Sequence, residues 1–151
     1  MTDEEEKQRI AAKIGSVFDA TVNRKRGENA IAMEVYAPVD SAEAHRIQVA
    51  TGLDVQGYSH SIGGYEILHV LKKHGEGNGD PRPITKEDFE NLHEVMITAD
   101  EIVNEGTTHI GLPGITYRKR INGHIVVIEE YRHGKGNKKR LAFKTMYKTK
   151  T

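Results

Sequence analysis

"GITYRKRINGHIVVIEEYR", residues 114–132, decides the fold. Two runs rich in β-branched and aromatic residues flank Asn122-Gly123, a pair that marks a tight hairpin because both positions accept positive φ. The second run, "HIVVI", is apolar on both faces, as a strand with neighbours on either side must be. With a two-residue loop, Ile121 opposes His124, Arg118 opposes Val127 and Thr116 opposes Glu129. Thr116, Arg118, Arg120, Glu129 and Tyr131 then share one face. Ile115, Tyr117, Ile121, Val126 and Ile128 share the other with Glu130.

Outward from the hairpin, "HGKGN" (133–137) reads as a turn and "KKRLAFKTMYK" (138–148) as a further strand. "EIVNEGTTHI" (101–110) offers one more. In the last strand Leu141, Phe143, Thr145 and Tyr147 alternate with Ala142, Lys144, Met146 and Lys148. The pattern does not say which set faces a core.

Upstream the period is helical. Thr2 with Glu5 fits a capping box, and Ile10, Ile14, Val17 and Phe18 recur at helical spacing over residues 3–19. "AIAMEVYAP" (30–38) is a short strand or an extended linker. Ser41 caps a second helix that Gly52 stops, and "DVQGYSHSIGG" (54–64) is turn-rich. A third helix runs over 64–74 to Gly75. The breaker-dense "GEGNGDPRP" (75–83) is a loop, and Thr85 with Asp88 caps a further helix. Helices first and an antiparallel, roughly four-stranded meander afterwards give an α+β fold, with the helices on one face of the sheet. We divide the chain at residue 40, into an N-terminal helix and connector (1–40) and a main domain (41–151).

The zero net charge hides an asymmetry. Residues 114–151 hold eleven Lys/Arg against two Asp/Glu, and residues 1–113 hold eleven against twenty, so the two parts carry +9 and −9. A basic half suits a polyanion or, equally, pairs with the acidic half of its own fold. With no cysteine, disulfides, thiolate metal sites and a cysteine nucleophile are excluded. No apolar run approaches the ~20 residues that span a bilayer. The acidic "MTDEEEKQR" does not have the form of a signal peptide, so no membrane association is expected.

The chemistry gathers at "EILHVLKKHGEG" (66–77). Ile67, Leu68, Val70 and Leu71 form an apolar arc. His69 lies opposite it, with Lys73 about 40° away on the same face, and His74 sits about 140° from His69 at the helix end. A C-terminal His is favoured in its charged form by the helix dipole. The pair could serve as an acid and a base, or as a solvated residue and a helix closure. No histidine spacing matches a local metal motif, so neither metal nor cofactor is expected. On the strand 144–148, Thr145 and Tyr147 project to one face and Lys144 and Lys148 to the other.

The segments "TGLDVQGYSHSI", "ILHVLKKHGE", "PITKEDFENL", "ADEIV", "YRKRINGHIVVIEEYR" and "LAFKTMYK", in this order over about residues 41–150, resemble the phage-associated branch of the barnase, EndoU, colicin and RelE-like nucleases, the BECR fold. The resemblance implies metal-independent RNA cleavage, often by a toxin or effector linked to phage head proteins. Carried onto this chain, His69, His74 and Lys73 match the helix motif, Thr145, Tyr147 and Lys148 the terminal strand, and Arg118 the central hairpin. The expected roles follow. His69 and His74 are base and acid in either order, and Tyr147 assists proton transfer. Lys73, Arg118, Thr145 and Lys148 hold the phosphate. The expected partners are an RNA substrate, an inhibitor or immunity protein and a phage structural protein, in the cytoplasm or in a phage particle. The alternatives are a non-catalytic nucleic-acid- or protein-binding module and, more remotely, transferase chemistry on a nucleotide.

Overall fold

The computed structural model describes residues 2–77, 79–80, 82–107, 111–133 and 139–149. The turn expected at 133–137 lies, beyond His133, outside the described residues. In chain order the elements are α1 (Asp3–Val22), β1 (Glu34–Pro38), α2 (Ser41–Thr51), β2 (Ser59–Ile62), α3 (Gly64–His74), α4 (Lys86–Glu90) and α5 (Leu92–Ile97). The strands β3 (Glu101–Thr107), β4 (Pro113–Arg120), β5 (His124–Arg132) and β6 (Arg140–Lys148) follow. The class is α+β, helices preceding the meander.

The sheet departs from the four-stranded antiparallel expectation. It has six strands in the order β1-β2-β6-β5-β4-β3. β3 to β6 form the antiparallel meander, β2 adds parallel to β6, and β1 adds antiparallel to β2. β2 escapes sequence reading because it is four residues long in turn-rich sequence. It exists by pairing Ser59, His60 and Ser61 with Arg140, Leu141 and Ala142, some eighty positions away.

The hairpin register also differs by one residue. Arg120 pairs with His124, Arg118 with Val126, Thr116 with Ile128 and Tyr117 with Val127. Ile121 joins Asn122 (φ 48°) and Gly123 (φ 97°) in a three-residue connection. Because side chains alternate, one residue of slip exchanges the faces of β5. Glu129 and Tyr131 therefore lie with Ile115 and Tyr117, while Val126, Ile128 and Glu130 lie with Thr116 and Arg118. In β6 a bulge follows. Ile128 pairs with Thr145 but Glu129 with Phe143, so Lys144 is the extra residue. Leu141 and Phe143 face the helices before the bulge, and Met146 and Lys148 after it. Neither alternating set is wholly inside, and for that reason strict alternation could not assign them.

The helices cover one face. Ile10, Ile14, Ile47, Ile67, Val70, Phe89 and Leu92 pack on Ile115, Val127, Leu141, Phe143 and Met146 in one core. Phe89 links α1 to the sheet, its ring 5.5 Å from Phe18 and 5.7 Å from Phe143. Local caps set the helix starts. Thr2 accepts from the Glu5 amide, Asp40 (rather than Ser41) caps α2, and Thr85 with Asp88 forms a full capping box. The single helix expected after Thr85 is broken at Asn91 into α4 and α5. Past Ala142, no described strand pairs with β6 on its β2 side, and α3 packs against β6. At the β2–α3 junction a Cβ on Gly64 would lie 2.5 Å from Thr21 Oγ1, so only glycine lets α1 approach there. No described helix is long and apolar enough to cross a membrane.

Candidate functional site

Two polar constellations occupy opposite faces of the sheet. The first gathers on the face away from the helices. The pairing Glu101–Arg118–Val126–Tyr147 forms one cross-strand row, and Val103–Thr116–Ile128–Thr145 the next. Arg118, Thr145 and Tyr147 therefore share this face. The end of α3 brings His74 to its margin, with its ring 5.7 Å from that of Tyr147 and tilted by 34°. Nδ1 of His74 lies 3.4 Å from the Asp80 carboxylate, in the loop that Gly75 opens. The Arg82 amide donates to Asp80 and, ahead of the His74 contact, lowers its pKa. An imidazole beside a carboxylate and a phenol has the groups that proton transfer requires.

The other residues expected at this site are placed as follows. His69 and Lys73 are exposed on the outer side of α3, and their side chains make no hydrogen bond, ion pair or ring contact among the described residues. His69 and His74 are five residues apart along one helix, so they do not converge on one point. Arg118 donates to Glu101 at 2.8 Å and to Glu105 at 2.7 Å. Lys148 faces the helices, as alternation with Tyr147 requires, and pairs with Asp88 at 3.0 Å. The structure thus places Tyr147, Thr145 and Arg118 on one face with His74 at its margin, leaves His69 and Lys73 on the outer side of α3, and turns Lys148 to the helix side, where it still acts on Asp80.

Sequence reading missed the neighbouring cations. Beyond the bulge, Glu130 is fully buried, 2.6 Å from Arg132 Nε and 3.8 Å from Lys144 Nζ. A polar hollow of about 130 Å³ opens beside them, lined by Ser61, Glu66, Arg132, Arg140 and Lys144. Burial, and then the charge of Arg132, lower the pKa of Arg140 from its ordinary value. The bulge supplies this cluster, because it turns Lys144 toward Glu130.

The second constellation lies under the helices. His60, on β2, is 1% exposed. Its Nδ1 is 2.9 Å from Glu129 and its Nε2 is 2.7 Å from Glu43 of α2. Tyr117 donates to Glu129 at 2.7 Å, and Tyr36 stacks on the His60 ring at 5.8 Å. His93 of α5 closes the group, its Nε2 3.4 Å from Glu43. Burial works against a charge on His60, but Glu129 and Glu43 outweigh it and hold its pKa up at about 10. Burial likewise opposes the Glu43 charge, and the hydrogen bond from His60, with the neighbouring His93 imidazole, brings its pKa down to about 2. Burial beside Glu129 pushes the Tyr117 phenol well above its ordinary value. None of these partners is near another in sequence. The one available signal was the acidic Glu129 inside an apolar central strand, which demands a buried partner.

A sheet covered by helices on one face and carrying polar and cationic residues on the other defines an α+β domain. The chain belongs to the phage-Barnase-EndoU-ColicinE5/D-RelE like nuclease3 family, whose pattern matches residues 39–151. It is a nuclease-type domain of a phage family. No curated protein and no solved structure matches the chain.

Proposed function

We propose that the face bearing His74 and Tyr147 cleaves RNA by transesterification. The observation that carries this reading is the contact of the two rings, with Asp80 behind the imidazole. One of the pair removes the proton of the 2′-OH, whose oxygen attacks the adjacent phosphorus. The other protonates the departing 5′-oxygen, leaving a 2′,3′-cyclic phosphate. Asp80 orients His74. Thr145, two residues from Tyr147 on the same face, hydrogen-bonds a phosphate oxygen, and Arg118 steadies the charge that develops there. The nucleophile belongs to the substrate, so the reaction itself uses no metal. His69 takes no part in proton transfer in this reading, and Lys73 meets only the passing strand.

The hollow at Arg132, Arg140 and Lys144 gives the strand its path. Lys144 is three residues from Tyr147, about 10 Å along an extended strand. That spacing suits a flanking phosphate rather than the scissile one. An inhibitor protein would cover this face, and a phage structural protein would hold the domain in place.

A non-catalytic nucleic-acid- or protein-binding module is the second reading. It is favoured by the engagement of Arg118 and Lys148 with carboxylates, which leaves fewer cations for a transition state. Labelled RNA and its all-deoxy counterpart distinguish the two readings. The nuclease cuts only RNA, yields cyclic phosphate ends and is disabled by His74→Ala. The binding module retains both strands intact in a salt-sensitive complex.

A further inference from the structure

We infer that Glu43, His60 and His93 form a binding site for a divalent first-row metal ion, zinc by its donor set, on the helix-covered face of the sheet. One ligand atom from each lies within 4.8 Å of the others. Tetrahedral zinc, with bonds of about 2.0–2.2 Å, places its ligands about 3.4 Å apart. Glu43 Oε2 to His60 Nε2 is 2.7 Å, and Glu43 Oε1 to His93 Nε2 is 3.4 Å. A small outward shift of Glu43 and a rotation of the His93 ring seat the ion.

Three observations point to a cation here rather than to a self-contained hydrogen-bond network. His93 Nε2 is buried yet has no hydrogen-bond partner among the described residues, its approach to Glu43 being misaligned. A metal ion gives that lone pair a partner. Secondly, the far nitrogen of His60 is held by Glu129, which in turn accepts from Tyr117. A carboxylate behind a ligating imidazole fixes its tautomer and orientation, as in most histidine metal sites. Thirdly, two carboxylates are sequestered together. A single proton on His60 balances one of them, whereas a divalent ion balances both.

Two of the three ligands, Glu43 and His60, line a cavity of about 180 Å³ together with Asp40, Arg46 and Tyr117 among others. That space admits a water ligand and gives the ion its way in. The site joins α2, β2 and α5, so the ion ties two helices to the sheet. It lies across the sheet from His74 and Tyr147 and is independent of the RNA-cleavage proposal.

The test uses the whole chain, stripped with a chelator and dialysed, then titrated with zinc chloride by calorimetry and with cobalt(II) by absorption. We expect one equivalent to bind, a rise in the melting temperature, and visible cobalt bands of tetrahedral intensity. His93→Gln lowers zinc affinity at least tenfold, and Glu129→Gln lowers it about 10–100-fold. His45→Ala, on the exposed side of α2, leaves it unchanged. Should Glu129→Gln not fold, His93→Gln decides, since His93 is only partly buried. Absence of saturable binding to the folded protein overturns the proposal, as does binding that His93→Gln leaves intact. Neither result bears on whether His74→Ala abolishes RNA cleavage.

Discussion

His60 and His74 belong to opposite faces of one sheet, and their surroundings separate structure from chemistry. His60 is 1% exposed, with a carboxylate on each ring nitrogen and a tyrosine stacked on its ring. The cavity of about 180 Å³ beside Glu43 and Arg46 leads to it, a space far too small for a nucleic-acid strand. The side chain of His74 is 31% exposed, with one loose carboxylate contact and a tilted phenol. A buried charged network resists change, whereas a half-exposed ring can meet a substrate and exchange a proton. Two histidines that look alike in sequence are therefore assigned opposite tasks.

The largest expected effect breaks the covered face. His60→Ala leaves Glu43 and Glu129 without their shared partner, at a cost of about 3–5 kcal/mol. Chemical denaturation will read this as a large fall in midpoint or as failure to fold. A loss under 1 kcal/mol would show that the network is far weaker than its geometry implies. The matching change on the other face, His74→Ala, should leave the midpoint nearly unmoved and lower RNA cleavage about 10²–10⁴-fold. If stability and activity fall together, the separation of the faces fails.

Proton linkage sharpens the same contrast. In the metal-free protein His60 is held above its ordinary 6.5, at about 10. Its stabilisation is complete below pH 6.5 and is lost as pH rises through about 10. Glu43 is held below its ordinary 4.5, at about 2, so its contribution is complete above pH 4.5 and is lost as pH falls through about 2. Denaturation midpoints should therefore be highest between pH 4.5 and 6.5, and the alkaline loss should shrink in a folded Glu129→Gln variant. The smallest effect is expected at Arg118. Its ion pairs with Glu101 and Glu105 are surface contacts, so Arg118→Ala should cost no more than about 1 kcal/mol. RNA cleavage should fall more visibly, and an unchanged rate would remove Arg118 from the site.

Local signals made much of the fold legible. The Asn122-Gly123 turn, the Thr2 and Thr85 caps, the stop at Gly52 and the apolar stripe of α3 all act within a few residues. What failed depends on partners distant in sequence or on the length of one turn. β2 is a strand only because β6 accepts it, and the β5 faces follow from a loop of three residues instead of two. That single slip placed Glu129 on the wrong face and hid the His60 network from sequence reading. At the site, the neighbourhood of His74 and Tyr147 followed from one motif on a helix and another on a strand. The opposed directions of His69 and His74 were already present in helix geometry. The pairing of Lys148 with Asp88 and the turn of Lys144 toward Glu130 needed the packed α4 and the bulge.

The claim that His74 and Tyr147 act on the ribose hydroxyl is tested most directly with a DNA oligonucleotide carrying one ribonucleotide. Purified protein should cut it only on the 3′ side of that sugar, leaving a cyclic phosphate, and the His74→Ala protein should leave it whole. Cutting at deoxyribose positions, or equal cutting by the His74→Ala protein, would contradict the account.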